Sequence, residues 1–134
     1  MHWERLNRVL LYAGFLYFAG VAVCHFAGWK IAGFFIYFDV PSNMYQDRII
    51  SVLAMGWSLF FLQAAGYPRG NRAIIKILII SGFVAIAGLL VNSSLLHLDI
   101  LKLTIDMKLI YIQLAILFLY ELALTIVFIK SRIY

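Results

Sequence analysis

The stretch AIIKILIISGFVAIAGLLV, residues 73–91, decides the fold class of this chain. It carries one charged side chain, Lys76, and is long enough to cross a hydrocarbon core of roughly 30 Å, which takes about 20 helical residues. Hydrocarbon offers the backbone no hydrogen-bond partner, so an isolated strand would leave its N–H and C=O groups unpaired. The stretch is therefore predicted to be a transmembrane helix.

Three further apolar segments of the same kind accompany this stretch. They run from about residue 9 to 29, from 44 to 66 and from 107 to 129. The composition agrees, because 65% of the 134 residues are hydrophobic and 13% are charged, against about 45–50% and about 25% in a soluble domain. The sequence predicts an all-α integral membrane protein, a four-transmembrane-helix bundle that forms one domain over residues 1–134.

The basic residues indicate how such a bundle is oriented. One group lies before the first helix, around the second connection and after the last helix: Arg5, Arg8, Arg69, Arg72, Lys76, Lys130 and Arg132. The smaller group lies in the other two connections: Lys30, Arg48, Lys102 and Lys108. Because the side richer in Lys and Arg faces the cytoplasm, both termini are predicted to be cytoplasmic. The bases are scattered over helix ends rather than gathered on one face, which argues against nucleic acid as a partner.

The two outer connections are unusually apolar. Residues 30–46 are rich in Phe and Tyr, which favour the headgroup level, and we interpret them as a short interfacial or re-entrant segment. This segment stops at Pro41, and Asn43 is predicted to cap the second helix. Residues 96–106 alternate apolar and polar side chains, which favours an extended interfacial segment, with a short amphipathic helix as the alternative. In contrast, residues 67–72 form a tight polar turn that makes the second and third helices a hairpin.

Small residues indicate how the helices pack, because helix association in lipid depends on close backbone approach and on polar contacts. In the first helix, Gly20, Cys24 and Gly28 recur at every fourth position. They are predicted to form a helix-packing stripe. The fourth helix has no such stripe and is bulkier, which predicts a more peripheral position or contact with a partner protein.

Glu121 is the most informative residue for function, because it lies inside the fourth predicted span. An ionised carboxylate there costs a few kcal/mol, so we expect a neutral, hydrogen-bonded acid. At matching depth the candidate partners are Tyr17, Ser58 and Ser81, and Gln113 lies two turns outward on a neighbouring face. Two interpretations stay open: a site that handles a proton, a ligand or a quinone, and an interhelical hydrogen bond that fixes the fourth helix.

Two histidines form a second candidate site. His25 lies late in the first helix and His97 in the last outer connection, so both are predicted to lie near the outer face. With Asp39, Asp47 or Asp99 they can supply imidazole and carboxylate ligands to a metal, and two histidines can hold a haem. Because no metal-binding spacing supports either, we assign no metal. Interfacial histidines bonded to backbone carbonyls are the alternative.

Four features of the layout carry a family resemblance. A basic residue opens the first helix, Asp47 and Arg48 follow the outer loop, Gly56 lies in the second helix, and Glu121 lies inside the fourth. This layout, which covers the whole chain, resembles the DoxX-like small four-helix membrane proteins. The resemblance implies a small protein of the bacterial inner membrane, sometimes linked to redox systems, and it transfers no catalytic residue. The extended apolar outer connections depart from the expected pattern.

The sequence contains no nucleophile–base pair, phosphate loop or zinc spacing, so we assign no catalytic residue. We expect a non-catalytic accessory or scaffolding subunit of a larger membrane complex, whose partners are membrane lipids and other membrane subunits. No cofactor is predicted beyond bound lipid. The alternative is a membrane-embedded redox protein or enzyme that handles a quinone or a lipid, with Glu121 as its buried acid and a haem or quinone bound.

Overall fold

The fold consists of four long helices. The structure, a computed structural model, describes residues 2–32, 34, 43–95 and 107–133. Helix α1 spans His2–Ala27, α2 spans Met44–Gly66, α3 spans Arg72–Leu95 and α4 spans Met107–Ile133. All four are long and apolar enough to cross a bilayer, and no β-strand occurs in the described ranges. The all-α prediction is confirmed, and so is the number of helices with membrane-spanning length and composition.

Three of the helices continue past the apolar segments that identify them. Helix α1 begins at His2, well before the span predicted from about residue 9. Glu4 lies in its first turn, where a carboxylate interacts favourably with the helix dipole. The same carboxylate pairs with Arg69, with Oε2 2.8 Å from Nη2. Helices α3 and α4 run on to Leu95 and Ile133.

Helix α1 ends at a glycine with a left-handed backbone. Gly28 has a φ of 70°, and its N–H donates to the carbonyl of His25 at 3.3 Å. The N–H of Trp29 donates to the carbonyl of Cys24 at 2.8 Å. These two bonds form a Schellman motif, in which glycine is preferred because it adopts this φ without strain. Gly28 therefore terminates α1 rather than packing, and no described atom lies within 4 Å of the position its Cβ would occupy.

Helix α2 begins with a side-chain cap. Oδ1 of Asn43 accepts a hydrogen bond from the backbone N–H of Gln46 at 2.9 Å, which confirms the predicted capping role. Most of the predicted interfacial or re-entrant segment, Pro41 included, lies outside the described residues. The whole connection at residues 96–106 lies outside them as well.

The turn between α2 and α3 is closed by Asn71. Its side-chain Nδ2 donates to the carbonyl of Gln63 at 2.9 Å, one of the last carbonyls of α2 that has no partner within the helix. Its backbone carbonyl accepts from the N–H of Ile75 at 3.0 Å, which starts α3. One residue thus serves both helix ends, and α2 and α3 form the predicted hairpin. We call this end of the bundle the hairpin end, and the end where α1 stops and α2 starts the loop end.

The four helices form a ring in which each contacts two neighbours. Helix α1 packs on α2 and α4, and α3 packs on α4 and α2, while the backbones of the diagonal pairs do not approach each other closely among the described helices. The α1–α2 contact is the most extensive and the α2–α3 contact the least. Early residues of one helix meet late residues of the next, as Ser51 meets Ala22 and Arg72 meets Phe128. Neighbouring helices are therefore antiparallel.

An apolar core fills the half of the bundle nearer to the hairpin end. All four helices contribute to it: Leu11, Phe61, Ala64, Ala65, Ile75, Leu78, Leu124 and Phe128. The ring of Phe18 stacks on Phe61 with 5.5 Å between the ring centres. The small residues of α2 in this core let α1 and α2 approach closely, as expected for helices packing in lipid.

Polar side chains lie inside the bundle, and large apolar side chains cover its surface. The buried polar residues are Asn7, His25, Asp47, Ser51, Ser58, Ser93, Gln113 and Glu121. On the surface, Leu16, Phe26 and Val84 are 64%, 68% and 66% exposed. In water this distribution would expose apolar surface and desolvate polar groups at once, and both are unfavourable. A hydrocarbon solvent removes the first cost, so the distribution fits a membrane protein.

Helix α3 is the helix least covered by the rest of the chain. In its most apolar stretch 17% of the residues are buried, against 33% in each of the other three helices. Helix α4 is therefore not the most peripheral of the described helices, and its bulky residues Ile110, Leu124 and Phe128 are buried. The alternative expectation, contact of α4 with a partner protein, stays a prediction.

Candidate functional site

Glu121 lies inside the bundle, on the face of α4 that meets the other helices. The residue is 4% exposed. The buried residues Leu114, Glu121, Leu124 and Phe128 of α4 share one face by heptad spacing. The carboxyl group is thus held in the interior by the same periodicity that buries its apolar neighbours.

Gly82 of α3 leaves the space that the Glu121 carboxyl group occupies. A Cβ atom at residue 82 would overlap Oε2 and the carboxyl carbon of Glu121. Ser81, the α3 residue predicted from depth, precedes Gly82 and is half-buried. The α3 residue in contact with the carboxyl group therefore provides close approach and no hydrogen-bonding side chain.

The Glu121 carboxyl group has unused hydrogen-bonding capacity. Its Oε1 is buried and has no hydrogen-bond partner among the described residues. The adjacent Tyr120 donates its hydroxyl to the carbonyl of Leu10 in α1 at 2.9 Å, so it ties α4 to α1. Thr125 donates to the backbone carbonyl of Glu121 at 2.8 Å, which leaves the carboxyl group itself unaffected.

The predicted partners of Glu121 have other surroundings. Ser58 of α2 is 0% exposed, and its Oγ has no hydrogen-bond partner within the described ranges. Since Glu121 Oε1 also has none, these two atoms are not bonded to each other. Tyr17 of α1 is half-buried, and its ring contacts Phe18 and Phe34 with centre distances of 5.4 and 5.9 Å.

Gln113 adds a third buried group to this interior. It is 7% exposed, and both its Nε2 and its Oε1 are without a hydrogen-bond partner in the part of the chain that the structure describes. A buried polar group left unsatisfied costs about 1–3 kcal/mol. The inward-facing sides of α2 and α4 thus carry hydrogen-bond donors and acceptors that water or a polar ligand can satisfy.

The burial of Glu121 bears on both interpretations of this residue without deciding between them. The residue is 4% exposed, so its own bundle covers the carboxyl group. Oε1 has no hydrogen-bond partner among the described residues, whereas Oε2 is not among the buried atoms that lack one. A site for a proton or a ligand and a bond that fixes α4 therefore both stay predictions.

His25 of α1 and Asp47 of α2 form a buried pair at the loop end. Nδ1 of His25 lies 3.1 Å from Oδ1 of Asp47, and the residues are 8% and 7% exposed. One turn deeper, the hydroxyl of Ser51 donates to the carbonyl of Ala22 at 2.8 Å. Asp47 was one of three carboxylates predicted as possible metal ligands beside the histidines, and the structure places it next to His25.

The remaining members of the predicted metal or haem site are not part of this pair. His97, Asp39 and Asp99 lie outside the described residues. Within the ranges the structure describes, no group of three or more His, Cys, Asp and Glu side chains is placed to hold a metal ion. The described part of the site is therefore an interhelical ion pair or hydrogen bond.

The predicted small-residue stripe of α1 divides into three different roles. A Cβ at Gly20 would collide with the ring of Phe34, so this glycine packs against a residue of the following connection. Cys24 is buried in the helix, 5% exposed, and its thiol is free. Gly28 ends the helix, as described above.

No family model matches this chain, and no curated protein or solved structure matches it either. The resemblance to DoxX-like proteins therefore rests on the layout of the sequence alone and stays a prediction. The functional proposal has to be built from the contacts of the chain itself.

Substitution of Gly82 tests the contact with Glu121. Gly82→Ala places a methyl group where the carboxyl group lies, so Glu121 must move within a packed interior. Overpacking of this kind costs about 1–3 kcal/mol. The expected result is a lower midpoint of unfolding when the protein is titrated with SDS in mixed micelles.

Gly88→Ala is the matched control, because Gly88 is on the same helix and no described atom lies within 4 Å of its Cβ position. Since Ala is a better helix former than Gly by about 1 kcal/mol, this variant should be as stable as the wild type or more stable. Equal midpoints for the two variants would contradict the contact.

Proposed function

We propose that this chain spans the bacterial inner membrane four times, with both termini in the cytoplasm, as a non-catalytic accessory or scaffolding subunit of a larger membrane complex. Four apolar helices of sufficient length and the many large apolar side chains on the surface support the membrane assignment. The excess of Lys and Arg at the hairpin end supports the orientation.

The observation that carries the subunit proposal is a groove on the outside of the bundle between α2 and α3. Its volume is about 680 Å³. Its lining is mostly apolar and comprises Gly56, Leu59, Phe60, Leu62, Gln63, Gly66, Tyr67, Asn71 and Ile74. It lies between α2 and α3, the neighbouring helices with the least extensive contact. It also borders α3, the helix that the rest of the chain covers least.

The floor of this α2–α3 groove suits another transmembrane helix. No described atom lies within 4 Å of the Cβ positions of Gly56 and Gly66, so the backbone of α2 is open on this side. Helices in lipid associate where small residues allow their backbones to approach closely. Gln63 adds an exposed amide near the hairpin end, which can hydrogen-bond a polar group of the partner helix.

A second function is favoured by the interior around Glu121. Oε1 of Glu121 and the side-chain amide of Gln113 have no hydrogen-bond partner among the described residues. These atoms support the alternative function, a membrane-embedded redox protein or enzyme that handles a quinone or a lipid, with Glu121 as its buried acid. A buried carboxyl group can donate to or accept from the polar head of such a molecule. This function and the subunit role use different surfaces and can coexist.

Filling the α2–α3 groove tests the subunit proposal. Gly56→Leu projects a side chain into the groove without meeting any described atom of the chain within 4 Å of its Cβ, and Leu is the better helix former. The variant should keep the stability of the wild type and lose the larger assembly on native electrophoresis of membranes solubilised in mild detergent. Gly88→Leu, whose Cβ position is also open, should keep the assembly. An unchanged assembly for Gly56→Leu would contradict the proposed interface.

Replacement of Glu121 tests the second function. Glu121→Gln keeps the shape of the side chain and removes its acidic proton, so a quinone or lipid bound through the neutral acid should bind more weakly. A hydrogen bond between neutral groups contributes about 0.5–1.5 kcal/mol, which corresponds to a loss of affinity of roughly two- to tenfold. The measurement is the molar ratio of extracted quinone or lipid to purified protein, with Glu4→Gln as the control. An equal ratio in Glu121→Gln and wild type would contradict a ligand role for the acid.

Reporter fusions test the orientation. Green fluorescent protein fused after Tyr134 should fluoresce, because it folds in the cytoplasm and not when exported unfolded across the inner membrane. Alkaline phosphatase inserted within residues 96–106 should be active, because it requires the oxidising side of the membrane. The reverse pattern would place the hairpin end outside.

A further inference from the structure

A small polar cavity lies at the hairpin end, away from Glu121 and from the α2–α3 groove. Its volume is about 10 Å³. Its walls come from α1, from the α2–α3 turn, from α3 and from α4: Glu4, Asn7, Pro68, Arg69, Arg72, Phe128 and Ser131. Each side of this inner-end cavity therefore belongs to a different element of the fold.

Two residues lining the inner-end cavity carry buried atoms of opposite hydrogen-bonding character. Asn7 is 2% exposed, and its acceptor Oδ1 has no hydrogen-bond partner among the described residues. The donor Nη2 of Arg72 is buried and likewise has no partner there. The guanidinium carbon of Arg72 lies 5.0 Å from the centre of the Phe128 ring, a cation–π contact that holds the group in place.

The other polar side chains of the cavity wall have partners already. Arg69 Nη2 lies 2.8 Å from Glu4 Oε2, and the hydroxyl of Ser131 donates to the carbonyl of Phe128 at 2.8 Å. Among the buried side-chain atoms of the described wall, the two without a hydrogen-bond partner are the acceptor Asn7 Oδ1 and the donor Arg72 Nη2.

We propose that this cavity is a site for a single ordered water molecule, which donates a hydrogen bond to Asn7 Oδ1 and accepts one from Arg72 Nη2. The volume is that of one water, since about 10–15 Å³ of accessible space is needed to hold it. Water can donate and accept at once, so it satisfies both atoms. The bridge links α1 to α3, and the Arg72–Phe128 contact extends the link to α4.

A phosphate group, whether free or from a lipid headgroup, fits this cavity poorly. Its oxygens could accept from Arg72 Nη2, but they would face the acceptor oxygen of Asn7 and lie near the carboxylate of Glu4. Arg69, the second base of the wall, is already paired with that carboxylate. The volume would also have to grow well beyond that of one water.

A structure of the full chain in lipid nanodiscs, at a resolution that shows ordered water, tests the site directly. The expected density is one peak within about 2.7–3.2 Å of both Asn7 Oδ1 and Arg72 Nη2. A cavity without density while both side chains are ordered would overturn the proposal. So would tetrahedral density of the size of a phosphate.

A double-mutant cycle tests the same bridge in solution. Asn7→Leu and Arg72→Met each leave the other atom without its water, so each should lower the midpoint of SDS unfolding. The double variant removes both buried polar atoms, and loss of both partners together is less unfavourable than loss of one. Its midpoint should therefore fall by less than the sum of the two single changes.

Arg69→Met provides the matched control, because Arg69 lines the same cavity but pairs with Glu4. Its effect should add to that of Asn7→Leu. Additive effects for Asn7→Leu with Arg72→Met would show that the two residues are uncoupled and would overturn the bridge.

Discussion

In the bilayer that we propose as its surroundings, the bundle would depend on polar contacts between its helices, because apolar surface gains little by leaving hydrocarbon for a protein interior. Helix α1 makes these contacts on both of its sides. Towards α2 it has the His25–Asp47 pair and the bond from Ser51 to the carbonyl of Ala22. Towards α4 its Leu10 carbonyl accepts from Tyr120. Helix α1 is therefore the element that fixes its two neighbours.

Helix α3 is held differently. Apart from the turn residues that close the hairpin, its described contacts with α2 are few. With α4 it relies on the close approach at Gly82 and on aromatic contacts, in which Arg72 lies over Phe128 and Phe83 meets Phe118 edge-on at 6.0 Å. Because α2 and α3 make few contacts with each other, the α2–α3 groove between them is open. Among the described helices, α3 is the one whose most apolar stretch the rest of the chain covers least.

Sequence patterns predicted the number of helices, the hairpin turn and the Asn43 cap, because these depend on local hydropathy and on turn chemistry. They did not predict which face of α4 is inward, since a helix that is apolar all round gives little information on its rotation. The signal that exists lies in the small and polar residues. In α2 the positions Asp47, Ser51, Ala54 and Ser58 alternate by four and three residues, and all are buried. Gly28 shows the limit of this rule. It continues the four-residue spacing of Gly20 and Cys24 in α1, yet it ends that helix instead of packing against a neighbour.

The interior of the bundle contains two kinds of polar group. His25 and Asp47 are paired across α1 and α2, and Ser51 donates to the carbonyl of Ala22. Other residues have buried atoms without partners among the described residues: Asn7, Ser58, Arg72, Gln113 and Glu121. Each such group costs about 1–3 kcal/mol, while a domain has roughly 5–15 kcal/mol of net stability. Several unsatisfied groups together would consume much of that margin. Water, a bound ligand or residues outside the described ranges can satisfy these atoms, and at Glu121 and Gln113 they are the observation that motivates the proposed quinone or lipid site.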